Sequence, residues 1–159
     1  NLLTHAPESY RVIGYLGMAY AERGLLQKAK ETYLKAIALD PTNPVGYHNL
    51  AGAYRNSGRE DLAVKNFEKA IQLNPQFIFS YKSLAQLYLD QNDYRSARAV
   101  LETSLPHTQE KLEFLYLLSQ IAYEQKDFAG AKLYLQKALE LDPQNPHLRA
   151  LLKRKELMP

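Results

Sequence analysis

Alanine recurs at Ala29, Ala63, Ala97 and Ala131, a step of 34 residues taken three times without a slip. A fixed period of this length means that one supersecondary unit is used several times. Other registers keep the same step: Leu16, Leu50, Leu84 and Leu118; Gly17, Ala51, Ala85 and Ser119; Tyr20, Tyr54 and Tyr88, with Ala122 departing. Further along each copy come Tyr33, Phe67, Leu101 and Leu135, then Ala36, Ala70, Ser104 and Ala138.

Within a copy two apolar-periodic segments flank a short break. In the first copy Ile13, Leu16, Gly17 and Tyr20 recur at helical spacing, as do Leu26, Ala29, Tyr33, Ala36 and Ile37. Each copy therefore reads as two helices. Gly24 and Gly58 stand just after the first helix, where a left-handed residue commonly ends one; Asn92 is the next best tolerated there, and Lys126 is the exception. Asn43-Pro44 and Asn145-Pro146 read as helix starts, Asn capping and Pro in the first turn. Small residues in two registers let the paired helices approach, with Tyr, Phe and Leu filling the space beside them.

Tyr47, Leu50, Ala51 and Tyr54, followed by Ala63, Phe67 and Pro75, resemble the signature of the tetratricopeptide repeat (TPR) family, and Ile13, Leu16, Gly17, Tyr20, Ala29, Tyr33 and Pro41 repeat it. The resemblance implies an all-α fold, a right-handed superhelix (α-solenoid) of antiparallel helix pairs. One pair cannot bury its apolar face alone, so stacked pairs share a continuous core. The expected order is four repeats at 10–43, 44–77, 78–111 and 112–145, preceded by the end of another repeat at 1–9, and followed at 146–159 by a capping helix. In that last segment Leu148, Leu151, Leu152 and Leu157 or Met158 share one side, while Lys153 and Glu156 stand where a further copy needs a small residue and Tyr.

With 46% apolar and 23% charged residues the chain can build a core. It has no cysteine, which rules out disulfides and thiolate metal sites and suits cytoplasm and periplasm alike. No run approaches the roughly 18 apolar residues of a membrane span, and the first residues lack the pattern of a signal peptide. The chain is expected to be soluble, its compartment left open. Arg149, Lys153, Arg154 and Lys155 against Glu156 supply the whole net charge of +3. This reads as a solvated last helix rather than a nucleic-acid surface.

No catalytic constellation emerges. His5, His48, His107 and His147 fall in four different segments without a second ligand at metal spacing. The carboxylates of Glu60, Asp61, Asp90 and Asp93 sit at helix ends, and exposed acids at helix starts favour the dipole. No enzyme activity, cofactor, metal or small-molecule substrate is expected.

The resemblance implies that the first helix of each pair lines a concave groove. The residues expected to contact a partner there are Arg11, Tyr15 and Met18; His48, Asn49 and Arg55; Phe79, Lys82 and Gln86; and Tyr116, Gln120 and Tyr123. Leu89, Leu117 and Glu124 lie on the same faces. Aromatic anchors, cations and amides together suit a peptide. In the clamp by which related co-chaperones hold a C-terminal carboxylate, Lys and Asn cross the first helices. Here Asn49 and Lys82 match, but Gly14 and Met18 depart, and the clamp is not expected.

The expected function is a non-enzymatic scaffold that binds a peptide or partner protein in the groove. The alternative is the regulatory or substrate-selecting portion of a larger enzyme whose catalytic domain lies outside this chain. Weak self-association through an open repeat end is a third expectation.

One stretch breaks the rhythm. Leu101 to Phe114, LETSLPHTQEKLEF, occupies the third repeat's end without any insertion, since Pro143 is 68 residues after Pro75. Pro106 stands three residues before the usual proline and is expected to stop the helix about a turn early. His107 takes a packing or turn role, and Thr108 is expected to cap an earlier-starting next helix.

Overall fold

The computed structural model describes residues 7–156, and these form nine α-helices with no strand among the described residues. They are α1 (Pro7–Glu22), α2 (Leu26–Leu39), α3 (Pro44–Asn56), α4 (Glu60–Leu73), α5 (Ile78–Asp90), α6 (Tyr94–Ser104), α7 (Lys111–Glu124), α8 (Phe128–Leu141) and α9 (Pro146–Glu156). Packing divides them into two units, one up to Leu87 and the other from Tyr88, so that α5 begins in the first and ends in the second. In the first unit α1 packs on α2, α3 on α4, and α2 on α3. In the second α7 packs on α8, α6 on α7, and α9 on α8. The all-helical expectation holds. Of the segment expected to end a preceding repeat, residues 1–6 lie outside the described residues, as do His5, Leu157 and Met158.

Local chemistry sets the helix limits. The Asn43 side chain accepts a hydrogen bond from the Val45 N–H at 3.0 Å with Pro44 in the first turn, and Asn145 likewise accepts from the Leu148 N–H at 3.1 Å. Between the helices of each pair one residue is left-handed: Gly24 (φ 72°), Gly58 (φ 71°), Asn92 (φ 58°) and Lys126 (φ 60°). Lys126 departs in residue type and keeps the conformation, because its N–H and that of Asp127 close back onto the Tyr123 and Ala122 carbonyls at 2.9 and 2.8 Å. The turn geometry thus overrides the residue's preference.

Small residues mark where paired helices meet. Ala29, Ala63, Ala97 and Ala131 are fully buried, as are Ala51 and Ser119. At Gly17 a Cβ would run into the Tyr33 ring, itself buried. One expectation fails here. Leu16, in the register of the buried Leu50, Leu84 and Leu118, is 47% exposed. Leu50 is covered because it joins Ala29 and Tyr33 of the preceding pair in one cluster.

The irregular stretch follows the expectation in one respect and not in another. α6 ends at Ser104 and is 11 residues long against 14 for α2, α4 and α8. Thr108 does not start α7 early, since α7 begins at Lys111 with Glu110 as its cap. The buried Thr108 hydroxyl instead accepts from the Glu110 N–H at 2.9 Å, which closes a turn, and His107 is an exposed turn residue whose N–H donates to the Ser104 carbonyl. An Arg98-centred network links α6 to the fourth pair. Arg98 donates to Asp127 at 2.8 Å, to Glu102 at 3.2 Å and to the Tyr134 hydroxyl at 3.1 Å, and the Tyr134 hydroxyl donates to Glu102. The Gly130 N–H and the Arg98 guanidinium hold the Asp127 carboxyl below the usual carboxylate range.

Two stability predictions follow from this packing. Ala63→Leu should overpack α3 against α4 and cost about 1–3 kcal/mol, read as a lowered urea midpoint. Lys126→Gly should stabilise the chain by about 0.5–1 kcal/mol, the left-handed penalty less the entropy of glycine, read as a higher midpoint with unchanged helicity.

Candidate functional site

The α7 sequence, KLEFLYLLSQIAYE, is apolar on more than one face. Phe114, Leu115, Leu118, Ser119, Ile121 and Ala122 are buried. The buried Ser119 hydroxyl donates to the Tyr116 carbonyl at 2.7 Å, so it leaves no unmet polar group. A helix that has used one face for packing presents the remainder elsewhere. Tyr116, Leu117, Gln120, Tyr123 and Glu124, at helical spacing, line a cavity of about 390 Å³ together with Ile121, Leu89 of α5, Tyr94 of α6 and Leu151 of α9.

Its walls are mostly hydrocarbon and aromatic, with few polar groups. The Gln120 amide donates to the Tyr116 hydroxyl at 3.0 Å, orienting the amide along the helix. The Tyr116 ring packs on His147 with centroids 5.7 Å apart, and the Tyr123 ring meets Phe128 edge-on at 5.5 Å. Both rings are therefore held in place by neighbours outside α7, which lowers the entropic cost of using them as contact surface. The Glu124 carboxylate marks one end. Such a site can take an apolar side chain and offer the Gln120 amide to the adjoining backbone.

Of the twelve residues expected to contact a partner, the structure brings Tyr116, Gln120 and Tyr123 into this one cavity. The other nine lie in the first unit. Tyr15 and Phe79 are 61% and 60% exposed, Arg11, Met18 and Gln86 are also exposed, and Asn49, Arg55 and Lys82 are half-buried. His48 has a packing role. Its ring lies 5.4 Å from both the Phe67 and Phe77 rings, and Nδ1 is 3.0 Å from the hydroxyl of the fully buried Ser80. Phe77 in turn packs on Phe79 at 5.5 Å. Tyr94, Ile121 and Leu151 were not expected in the site. Leu151 is 34 residues after Leu117, so the period itself carried that signal.

Among the described residues no three His, Asp or Glu side chains cluster so as to hold a metal ion, and no helix is long and apolar enough to cross a membrane.

Sequence models described as tetratricopeptide repeat match residues 44–77, 66–99 and 83–146, and one described as TPR repeat matches 17–58. No curated protein matches the sequence. Among solved structures, pilF of Pseudomonas aeruginosa is similar at 22% identity over 93% of this chain and 68% of that one, with a TM-score of 0.69. MamA is similar at 22% identity over 90% and 84%, with a TM-score of 0.70. The first TPR of Spaghetti (RPAP3), solved bound to the HSP90 peptide SRMEEVD, is similar at 23% identity over 75% and 97%, with a TM-score of 0.65. Likeness at these identities establishes the fold.

Burial pushes the His48 imidazole below its ordinary pKa. The unfolded chain then binds a proton that the folded chain resists, so stability is complete above about pH 6.5 and falls as the pH drops through that value. Urea midpoints measured from pH 7.5 to pH 5 should decline, and His48→Gln, which keeps a hydrogen-bonding group toward Ser80, should flatten that decline.

Proposed function

Because this chain belongs to the tetratricopeptide repeat family, we propose that it is a non-catalytic scaffold that captures an extended peptide segment of a partner protein, with the α7 cavity as its anchor site. The observation that carries this reading is the second apolar face of α7. Tyr116, Leu117 and Tyr123 line the cavity, while Phe114, Leu118 and Ala122 are buried in the packing. Apolar surface kept at a concave site, beside an oriented amide, is what a peptide anchor uses. A structural relative solved with a peptide bound supports the same mode of use.

The chemistry of the segment follows from the lining. A medium-sized aliphatic or aromatic side chain fits the space between Leu89, Leu117 and Leu151, and the peptide backbone runs past Gln120 and the tyrosine hydroxyls. The departures at Gly14 and Met18 argue against a ligand defined by its terminal carboxylate. An internal segment is the better fit.

Affinity capture with the purified chain, followed by identification of the bound protein, supplies the ligand. Tyr116→Ala with Gln120→Ala should then weaken capture by about tenfold or more, close to 1.4 kcal/mol, while far-UV circular dichroism and the urea midpoint stay near those of the parent. Undiminished capture by this double variant would remove the α7 cavity from the binding surface.

A further inference from the structure

The turn after α6 and the end of α8 border a second cavity of about 370 Å³, which shares no lining residue with the first. Its origin lies in the irregular stretch. Pro106 stops α6 early, so the turn carrying Leu105 and Pro106 replaces a last helical turn, and these two residues face Leu141 across the opening. Leu39 and Leu73, in the register of Leu141, are half-buried, whereas Leu141 is 53% exposed. An aliphatic floor is left open here.

Charge stands beside that floor. Lys111 at the start of α7 and Lys137 in the last turns of α8 both line the cavity, with the single carboxylate of Glu140. Among the described residues neither lysine has a hydrogen-bond or ion-pair partner. Two uncommitted ammonium groups against one carboxylate leave the rim positive, and their alkyl stems extend the apolar wall.

We propose that this cavity is a second docking site, for a short segment of a partner protein that carries an aliphatic side chain next to a carboxylate. The aliphatic group lies between Leu105, Pro106 and Leu141, and the carboxylate faces Lys111 and Lys137. A volume of about 370 Å³ is near the lower end of the range for ligand pockets, about 300–1,000 Å³, and suits one such side chain rather than a folded surface. Apolar contact supplies the affinity and the lysines select the charge. The site is independent of the α7 groove face and stands or falls without it.

The test is an NMR titration of the isotope-labelled full chain with two synthetic ten-residue peptides, identical except that a leucine pair is flanked by glutamates in one and by lysines in the other. The glutamate peptide should move the signals of Leu105, Lys111 and Leu141 while leaving Tyr116 and Gln120 in place, and the lysine peptide should move none of them. Lys111→Glu with Lys137→Glu should weaken the glutamate peptide by about tenfold or more, with the remaining spectrum unchanged. Equal response to both peptides, movement confined to Tyr116 and Gln120, or unaltered affinity in the double variant would overturn the proposal. So would movement of Leu105 and Leu141 on dilution of the free protein, which would assign the cavity to a second copy of the chain.

Discussion

The Tyr33 ring occupies the space that a side chain at position 17 would need. That interlock of a ring over a glycine illustrates what the helix pairs depend on. The helices are 11 to 16 residues long, a length at which an isolated helix is marginal in water. Their stability has to come from close packing, and close packing requires one partner to be small. The buried registers show the exchange of volume along the chain: Tyr33 with Gly17, Phe67 with Ala51, Leu135 with Ser119. Where the second helix carries the largest ring, the first carries no side chain at all. Burying each such ring or leucine is worth about 1.5–3 kcal/mol, so the pairing of large with small is both the geometry and the energy of the fold.

Packing on one face leaves each first helix with another face to spare, and the residues on that face decide what the surface can do. In α3 the spare positions carry polar and small groups such as Asn49 and Gly52. In α7 they carry Tyr116, Leu117 and Tyr123, and an apolar cavity results. The irregular stretch works by a related economy of space. α6 is short, and the Arg98 network with Asp127, Glu102 and Tyr134 supplies charge-assisted hydrogen bonds between α6 and the fourth pair. One arginine fork thus reaches three acceptors.

The candidate site was legible in part. Helical spacing on α7 was enough to place Tyr116, Gln120 and Tyr123 on one face, and the cavity gathers all three. His48 shares the register of Tyr116 and Lys82, yet its ring is drawn between Phe67 and Phe77. Phe77 lies before α5 in a turn, where no helical period applies, so no pattern could announce the contact. Tyr94 and Ile121 entered the α7 cavity for a similar reason: side chains on a helix flank fall on either side of a wall according to what their neighbours leave open. Leu16 shows the converse. Its register promises burial, as at Leu50, Leu84 and Leu118, yet Leu16 is exposed.

By itself the sequence determined the class of fold, the left-handed turn between paired helices, and the small and large registers that interlock. These follow from local sterics and from a period that repeats regardless of what lies far away in space. The tertiary structure decided which spare faces become cavities, that Thr108 closes a turn instead of starting a helix, and that Lys111 and Lys137 come to flank one opening. Those outcomes depend on distances between segments that no local rule measures. They are set only when the shortened α6 and the end of α8 are brought together in three dimensions.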